Sequence, residues 1–531
     1  MAAFGAYRIP ELTRYALWYD ELFSLSLAQR GWGDLLAGAV ADRTNPPLFY
    51  ILLKAWIGIG GESVAWMRLL PCAFGTLVAV PMVALARRVA RAMAGGDATD
   101  AGAELVLPFT IALVAVAAAS PLAVFLSNEL RAYSLLLLLS ATWLLAYFRV
   151  AESAEWLAPG AAAADGDAPS WRGQAFGEHR RRVAQLTMVA VLLAYTHYFG
   201  WLLIAATLGA ALFWRRSALA GVIVAAGVAG LAFLPWATAV AVNAARVARP
   251  LANVAWVTPP RPVDVPVFYD ALVARVLTPD TAWVGGMLLA ALGGGLALWL
   301  RRAPRGSPPR RVAAELALLA LMPVAVAYVA SVVTSQSAFV PRYLMVAAPA
   351  WWLLVALAAM ALGSATARGR AMELDSHRWG AAVALAAFTL VAGALREVRG
   401  GEKIPWDAVV RAIAADRVAH PNAEAGPGGA QATGAAPGRA PDGTIYSLEG
   451  FTALPAAYYA ATLRTGLRVR PVTSLDSMVA PAWLVVRASP PTATAALGAG
   501  FTPRGVTLTA VYEASVPSHA IVAYRVGRQP Q

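Results

Sequence analysis

Charge is what this chain has least of. Only 14% of its 531 residues are Asp, Glu, Lys or Arg, whereas 59% are hydrophobic and the mean hydropathy is +0.58. A soluble protein of this length carries charge on about a quarter of its residues, so the deficit points to a polytopic membrane protein. Cysteine is scarcer still, with Cys72 alone. That excludes an internal disulfide and a cysteine-rich metal site, and it leaves the compartment open. Inside an apolar run, Cys72 reads as a small packing residue. Acid is short relative to base, giving a net charge of +13. This is no sign of nucleic acid, because most Arg residues sit in short loops between apolar runs, where they set topology.

Apolar runs are abundant. They fall at 65–86, 104–120, 128–148, 183–197, 199–214, 218–239, 282–300, 312–334, 342–363 and 379–395, about ten spans. Arginine clusters at 87–91, 149–182, 215–216, 301–311 and 368–378 occupy every second loop. The short loops between them, near 121–127 and 197–200, carry no Lys or Arg. The positive-inside rule therefore fixes one orientation. Asp20, Glu21, Asp42, Asn45, Ser127, Glu129, His197, the 240–280 loop, Arg342 and the C-terminal tail are expected on the outer side. Glu104 and Glu315 are expected at the inner ends of two spans, favoured there by the helix macrodipole. Residues 1–45 belong outside in this topology, yet Met1–Pro10 is neither a signal peptide nor a span, so a first transmembrane helix is expected upstream of Met1. Residues 47–60 are apolar but short, and with Lys54 and Trp56 they read as a helix at the outer interface. Residues 10–40 read as further interfacial helices.

The tail from 396 differs. A helix beginning at Trp406 is followed by a Gly, Ala and Pro-rich loop at 422–442. Strand-like 444–448, helical 456–463, strand-like 467–472 and 483–487, a short helix at 491–498 and strands at 506–513 and 519–525 complete it. Alternation of this kind predicts a small α/β domain, without a nucleotide fingerprint. The expected organisation is an outer interfacial loop with carboxylate motifs over 1–64, an α-helical polytopic membrane domain over 65–395, and an extracytoplasmic α/β domain over 396–531.

Few residues can do chemistry. Asp20-Glu21 could be a helix N-terminal pair or solvated interfacial charge, but Asp42 and Asn45 follow it, just ahead of Pro46-Pro47, and prolines fix nearby side chains relative to the next helix. Glu129 and Arg131 stand at the outer end of a span, where ionisable groups line a polar cavity or pair with each other. His197, between Tyr195 and Tyr198, reads either as a hydrogen-bonded structural residue or as part of a site. Arg342 opens a span from outside, suited to snorkelling or to bidentate phosphate contact.

The set Trp18-Tyr19-Asp20-Glu21, Asn45-Pro46-Pro47-Leu48-Phe49-Tyr50, Arg68-Leu69-Leu70-Pro71, Ser120-Pro121, Glu129-Leu130-Arg131-Ala132-Tyr133, Thr196-His197-Tyr198 and Arg342-Tyr343 resembles the glycosyltransferase C superfamily, in order and in sidedness. The nearest likeness is to its polyprenyl-phosphate-dependent members, which include protein mannosyltransferases and lipid A aminoarabinose transferases. It covers the chain to about residue 395. Where relatives often carry His or Lys before Pro-Pro, this chain has Asn45. The resemblance implies transfer of one sugar, hexosyl or pentosyl, from a polyprenyl-phosphate donor to a protein, lipid or glycan acceptor at the outer face of the cytoplasmic membrane, with inversion. Asp20 is then the expected base, with Glu21 or Asp42 orienting the acceptor or holding a cation. Arg131, Arg342, Tyr343 and Lys54 would hold the donor phosphate; Asn45, Glu129, His197 and Tyr198 would line the acceptor side. A requirement for Mg²⁺ or Mn²⁺, with Asp20 and Asp42 as candidate ligands, stays open because no spacing demands it. The rival readings are a transporter or lipid flippase, and a membrane sensor. A transporter gathers polar residues near mid-bilayer and tends to show internal repeats, whereas here they gather at one face and no repeat is visible.

Overall fold

The computed structural model describes residues 1–93, 100–157, 168–247, 257–275, 293–294, 296–297, 301, 307–334, 336–366, 371–394, 403–420, 443–472, 478, 482–488, 506–516 and 519–528. Its helices begin with α1 (Ala2–Ala6), α2 (Tyr19–Ala28), α3 (Trp32–Asp42), α4 (Leu48–Gly60), α5 (Val64–Leu77), α6 (Ala79–Met93), α7 (Asp100–Ala119), α8 (Pro121–Ser127) and α9 (Tyr133–Trp156). They continue with α10 (Ala168–Thr196), α11 (Gly200–Trp214), α12 (Arg216–Ala245), α13 (Asp264–Ala271), α14 (Pro308–Val333), α15 (Ala348–Thr366), α16 (Ala371–Ala394), α17 (Trp406–Ala419) and α18 (Gly450–Thr462). The strands are β1 (Thr444–Ser447), β2 (Arg468–Pro471), β3 (Ala482–Ala488), β4 (Val506–Val516) and β5 (His519–Arg528). The chain divides into two compact units: Met1–Leu12 with Leu27–Arg396, and Thr13–Ser26 with Glu397–Gln531.

The first unit is helical, and the chain is a multi-pass membrane protein. Among the described residues, five helical stretches are long and apolar enough to cross a bilayer: Val64–Met93 (α5 and α6 together), Tyr133–Glu155, Arg216–Ala245, Pro308–Val333 and Tyr343–Leu362. The pair Leu105–Ala119 and Pro121–Ser127, bent by 54°, adds a sixth if taken as one span. Leu48–Gly60, Gly200–Trp214 and His377–Ala392 are apolar but shorter. Most of the run expected at 282–300 lies outside the described residues.

Two prolines stand at breaks between helices, whereas Pro71, Pro108, Pro235 and Pro323 lie inside continuous ones. Pro81 lacks an N–H, and its ring would strike the carbonyl four residues back at Leu77, where α5 ends. The run at 65–86 is therefore two helices in series. Pro121 acts similarly: α7 stops at Ala119, and Pro121 opens α8 at its first position. The last carbonyls of α7 need donors from elsewhere. Arg8, fully buried, supplies one by donating from Nη1 to the Ala118 carbonyl at 3.1 Å, while its Nε donates to Ser127 Oγ, also at 3.1 Å. Close packing of α5 on α8 requires Gly75, since a Cβ there would collide with Ser127 Oγ. The bend thereby fixes where the segment 128–132 leads into α9.

At the far end of α9 the arginine-bearing loops converge. Arg88 and Arg182 reach Glu152 at 3.0 and 3.8 Å; Arg215 reaches Glu155 at 3.1 Å and Glu315 at 2.8 Å. Arg311 lies 3.8 Å from Glu155. Glu152 and Glu155 sit some 20 residues beyond Tyr133, about 30 Å along α9 at 1.5 Å per residue. The expectation for Glu315 is corrected here. Pro308 and Pro309 start α14 before the apolar run, so Glu315 lies two turns inside the helix, fully buried against Arg215 rather than in its first turn. The side chain of Glu104 lies outside the described residues. Removing one partner of a buried pair typically costs about 3–5 kcal/mol. Glu315→Ala should therefore lower the thermal unfolding midpoint of the purified protein in detergent; a midpoint equal to wild type would refute this role.

The second unit contains α17, α18 and a mixed sheet in the order β2-β1-β3-β5-β4. β1 pairs in parallel with β2 and β3, while β3–β5 and β5–β4 are antiparallel, with an irregularity between Ala510 and Tyr512. Alternate residues point to opposite faces. Ile445, Trp483, Val485 and Ile521 pack with Trp406 and Val410 of α17 and Tyr459 of α18. Tyr446, Leu484, Val522 and Tyr524 form a second cluster. The helix expected at 491–498 and the loop at 422–442 lie outside the described residues.

Candidate active site

In the membrane unit, several candidate residues meet around Tyr133, the first residue of α9. The Arg342 guanidinium lies 5.8 Å from its ring centroid and that of Arg131 lies 6.0 Å away. His197 and Tyr343 flank the same ring, each 6.1 Å from it and 4.9 Å from each other. Arg131 also donates from Nη1 to Tyr50 Oη at 3.5 Å, tying the Pro-Pro helix α4 to the cluster. Both arginines act electrostatically on the His197 imidazole, which is 2% exposed.

The local structure explains this meeting. His197 occupies the turn between α10 and α11, where its Nδ1 accepts from the Phe199 N–H at 3.2 Å. Its Nε2 is buried with no hydrogen-bond partner among the described residues. Asn45 is likewise buried, with Oδ1 unpartnered among them. Each is a buried polar atom whose desolvation cost a polar ligand reaching it would recover. Tyr198 accepts from Trp236 Nε1 at 3.2 Å. Burial pushes its phenol above the usual range, and the nearby Asp42 carboxylate adds to that rise. Asp42 itself accepts from the Thr44 N–H at 3.3 Å, just before the Pro-Pro step. Glu129 is fully buried in the segment that precedes α9.

Lys54 sits differently. Its ammonium donates to the Ala28 and Arg30 carbonyls at 3.2 and 2.6 Å and lies 5.1 Å from the Trp32 ring centroid. It thus ties α4 to the chain around 28–32.

The first carboxylate pair belongs to the second unit. Asp20 and Glu21 lie in the first turn of α2, whose start groups with the C-terminal domain. Glu21 is fully buried and its Oε2 accepts from Lys403 Nζ at 3.2 Å. Asp20 is partly exposed, and its backbone carbonyl accepts from Ser24 Oγ at 3.0 Å.

Three participants were not singled out from sequence. Tyr133 and Tyr50 stand inside motifs quoted above, so their signal was present but assigned to neighbours. Lys403 gave none, because it lies 382 residues from Glu21. Cys72 is buried and free, as its apolar setting implied.

No family model matches the sequence, and no curated protein does. Among solved structures, the crystal structure of ArnT from Cupriavidus metallidurans bound to undecaprenyl phosphate matches with a TM-score of 0.52, covering 98% of this chain and 96% of that one at 14% identity. The apo state of the same protein matches with a TM-score of 0.53 over the same shares, at 13% identity. At such identity the likeness is one of fold. The chain shares the fold of these ArnT structures.

Proposed function

We propose that this protein is a membrane glycosyltransferase that moves one sugar from a polyprenyl-phosphate donor to an acceptor, with inversion at the anomeric carbon. The observation that carries the reading is the pair of guanidinium groups of Arg131 and Arg342 at the Tyr133 ring, beside His197 and Tyr343, in a fold like that of ArnT. ArnT has been crystallised with undecaprenyl phosphate, which supports the donor class.

In the proposed step the acceptor oxygen attacks the anomeric carbon from the face opposite the phosphate. The bond from that carbon to the phosphate oxygen breaks, and its electron pair leaves with a phosphate monoester. Such a leaving group needs no general acid. Arg131, Arg342 and the Tyr343 hydroxyl receive its growing charge, where fixed positive partners in a buried setting act most strongly. The acceptor proton passes to the Asp20 carboxylate. Asp42, Asn45, Glu129, His197 and Tyr198 line the acceptor side. Lys54, engaged with two carbonyls, would have to leave them to touch phosphate, so the reading leans on the arginines.

Sidedness follows from charge. The Arg88, Arg182, Arg215 and Arg311 network sits at one end of α9 and the candidate cluster at the other. Under the positive-inside rule this supports a site at the outer face of the cytoplasmic membrane. Among the described residues no three His, Cys, Asp or Glu side chains gather in one place, and no step above is routed through a cation. A Mg²⁺ or Mn²⁺ ion at Asp20 or Asp42 remains part of the proposal.

The test is incubation of the protein in membranes with radiolabelled polyprenyl-phosphate sugars. Label should move onto a protein, lipid or glycan. Label that changes leaflet without changing carrier would instead establish a flippase. In the same assay, EDTA followed by Mg²⁺ or Mn²⁺ should abolish and then restore transfer if a cation is used; transfer indifferent to EDTA removes it from the mechanism.

A further inference from the structure

The C-terminal domain has no catalytic role assigned, yet it holds the segment that carries Asp20. Three attachments within this unit do so. The Leu17 N–H donates to Tyr459 Oη of α18 at 2.7 Å. The ring of Tyr19 packs 5.4 Å from that of Phe451, which in turn lies 4.8 Å from the Arg487 guanidinium. Between these aromatic contacts and the body of α2 sits the buried ion pair of Glu21 with Lys403, at 3.2 Å and with side chains 0 and 4% exposed.

Lys403 is itself well placed to be rigid. It immediately precedes Ile404 and Trp406, both in the domain core, and the Trp406 N–H bonds back to the Ile404 carbonyl at 2.9 Å. An ammonium anchored in this way fixes the Glu21 carboxylate, and Glu21 and its neighbour Asp20 share the first turn of α2. A buried charge is tolerated when paired, and removing either partner leaves the other uncompensated. The position of Asp20 is therefore tied to the C-terminal domain through its adjacent residue.

We infer that Lys403 is a positioning residue for sugar transfer, and that the C-terminal domain serves to hold the Asp20 carboxylate in place through the Glu21–Lys403 pair. Glu21 accordingly acts as the anchor of the dipeptide and Asp20 as its reactive half. This inference rests on the reading of Asp20 as the base given above. Catalytic groups displaced by about 1 Å lose on the order of 10²-fold in rate, which sets the expected effect.

The experiment uses the full chain in membranes, with turnover expressed per folded molecule. Lys403→Met should lower kcat on the order of 10²-fold with little change in KM for the polyprenyl-phosphate donor, and Lys403→Arg should restore most of it. Hydrogen exchange read on the same preparations should rise in Lys403→Met for the amides of residues 18–24. Normal kcat per folded molecule in Lys403→Met would overturn the inference, and so would unchanged exchange over 18–24. Should the wild type transfer no sugar, the functional reading itself fails, while the exchange measurement still decides whether Lys403 holds the segment.

Discussion

Asp20→Asn should abolish measurable sugar transfer while leaving the protein folded. The substitution keeps the size and shape of the side chain but removes its negative charge and its capacity to take a proton. General-base catalysis contributes roughly 10²–10⁴-fold, and a loss of that order on kcat is the expected result. Folding should survive, since the segment is also attached through Leu17, Tyr19 and Glu21, and the Asp20 backbone carbonyl that accepts from the Ser24 hydroxyl is kept. Size-exclusion behaviour and thermal unfolding check the fold; radiolabel transfer checks the chemistry. A well-folded, fully active Asp20→Asn protein would refute the assignment. Glu21→Gln provides a contrast, because it leaves the buried Lys403 ammonium without its anion and should lower stability as well as turnover.

Arg131→Ala and Arg342→Ala should each reduce kcat/KM for the donor by roughly 10²–10³-fold, the scale on which a fixed partner for developing negative charge acts. Lysine is no substitute at either place. A guanidinium offers a planar fork to phosphate and stacks on aromatic faces, which an ammonium on a flexible stem does not reproduce. Both arginines lie close to the ring of Tyr133, so the double variant should fall short of the product of the single losses. The measurement is donor-dependent transfer together with binding of polyprenyl phosphate. Retained phosphate binding in the double variant would move the phosphate site elsewhere. Because Tyr133 borders both guanidinium groups, Tyr133→Ala should weaken the same binding without removing any charge.

Much of the membrane part was legible in advance because its governing physics is local. Hydrocarbon demands long apolar helices, and the runs read from sequence coincide with α7, α11, α12, α14 and α15. The break between α5 and α6 inside the run at 65–86, and the helix α8 where a loop was expected at 121–127, come from the structure, although Pro81 and Pro121 act locally on carbonyls within one turn. The alternating arginine loops implied a single charged end, and Arg88, Arg182, Arg215 and Arg311 do meet there. In the tail, the segments read as strands at 444–448, 467–472, 483–487, 506–513 and 519–525 match β1 to β5, which lie in one sheet.

What sequence could not decide is which distant residues pair. Glu315 read as a helix-end carboxylate because only its own helix was visible; the partner that buries it, Arg215, lies 100 residues away. Tyr133 read as the tail of a motif, and only the convergence of α9, the 197–199 turn and the 342–343 segment makes it the ring that both arginines approach. Asp20-Glu21 read as one acidic dipeptide ahead of a membrane domain. The tertiary structure divides it, because burial makes Glu21 depend on an ammonium 382 residues distant while Asp20 stays partly exposed. Local sequence therefore determined the spans and the residue types at the site. Tertiary packing decided which charge is neutralised, since burial and pairing depend on what the whole chain brings into contact.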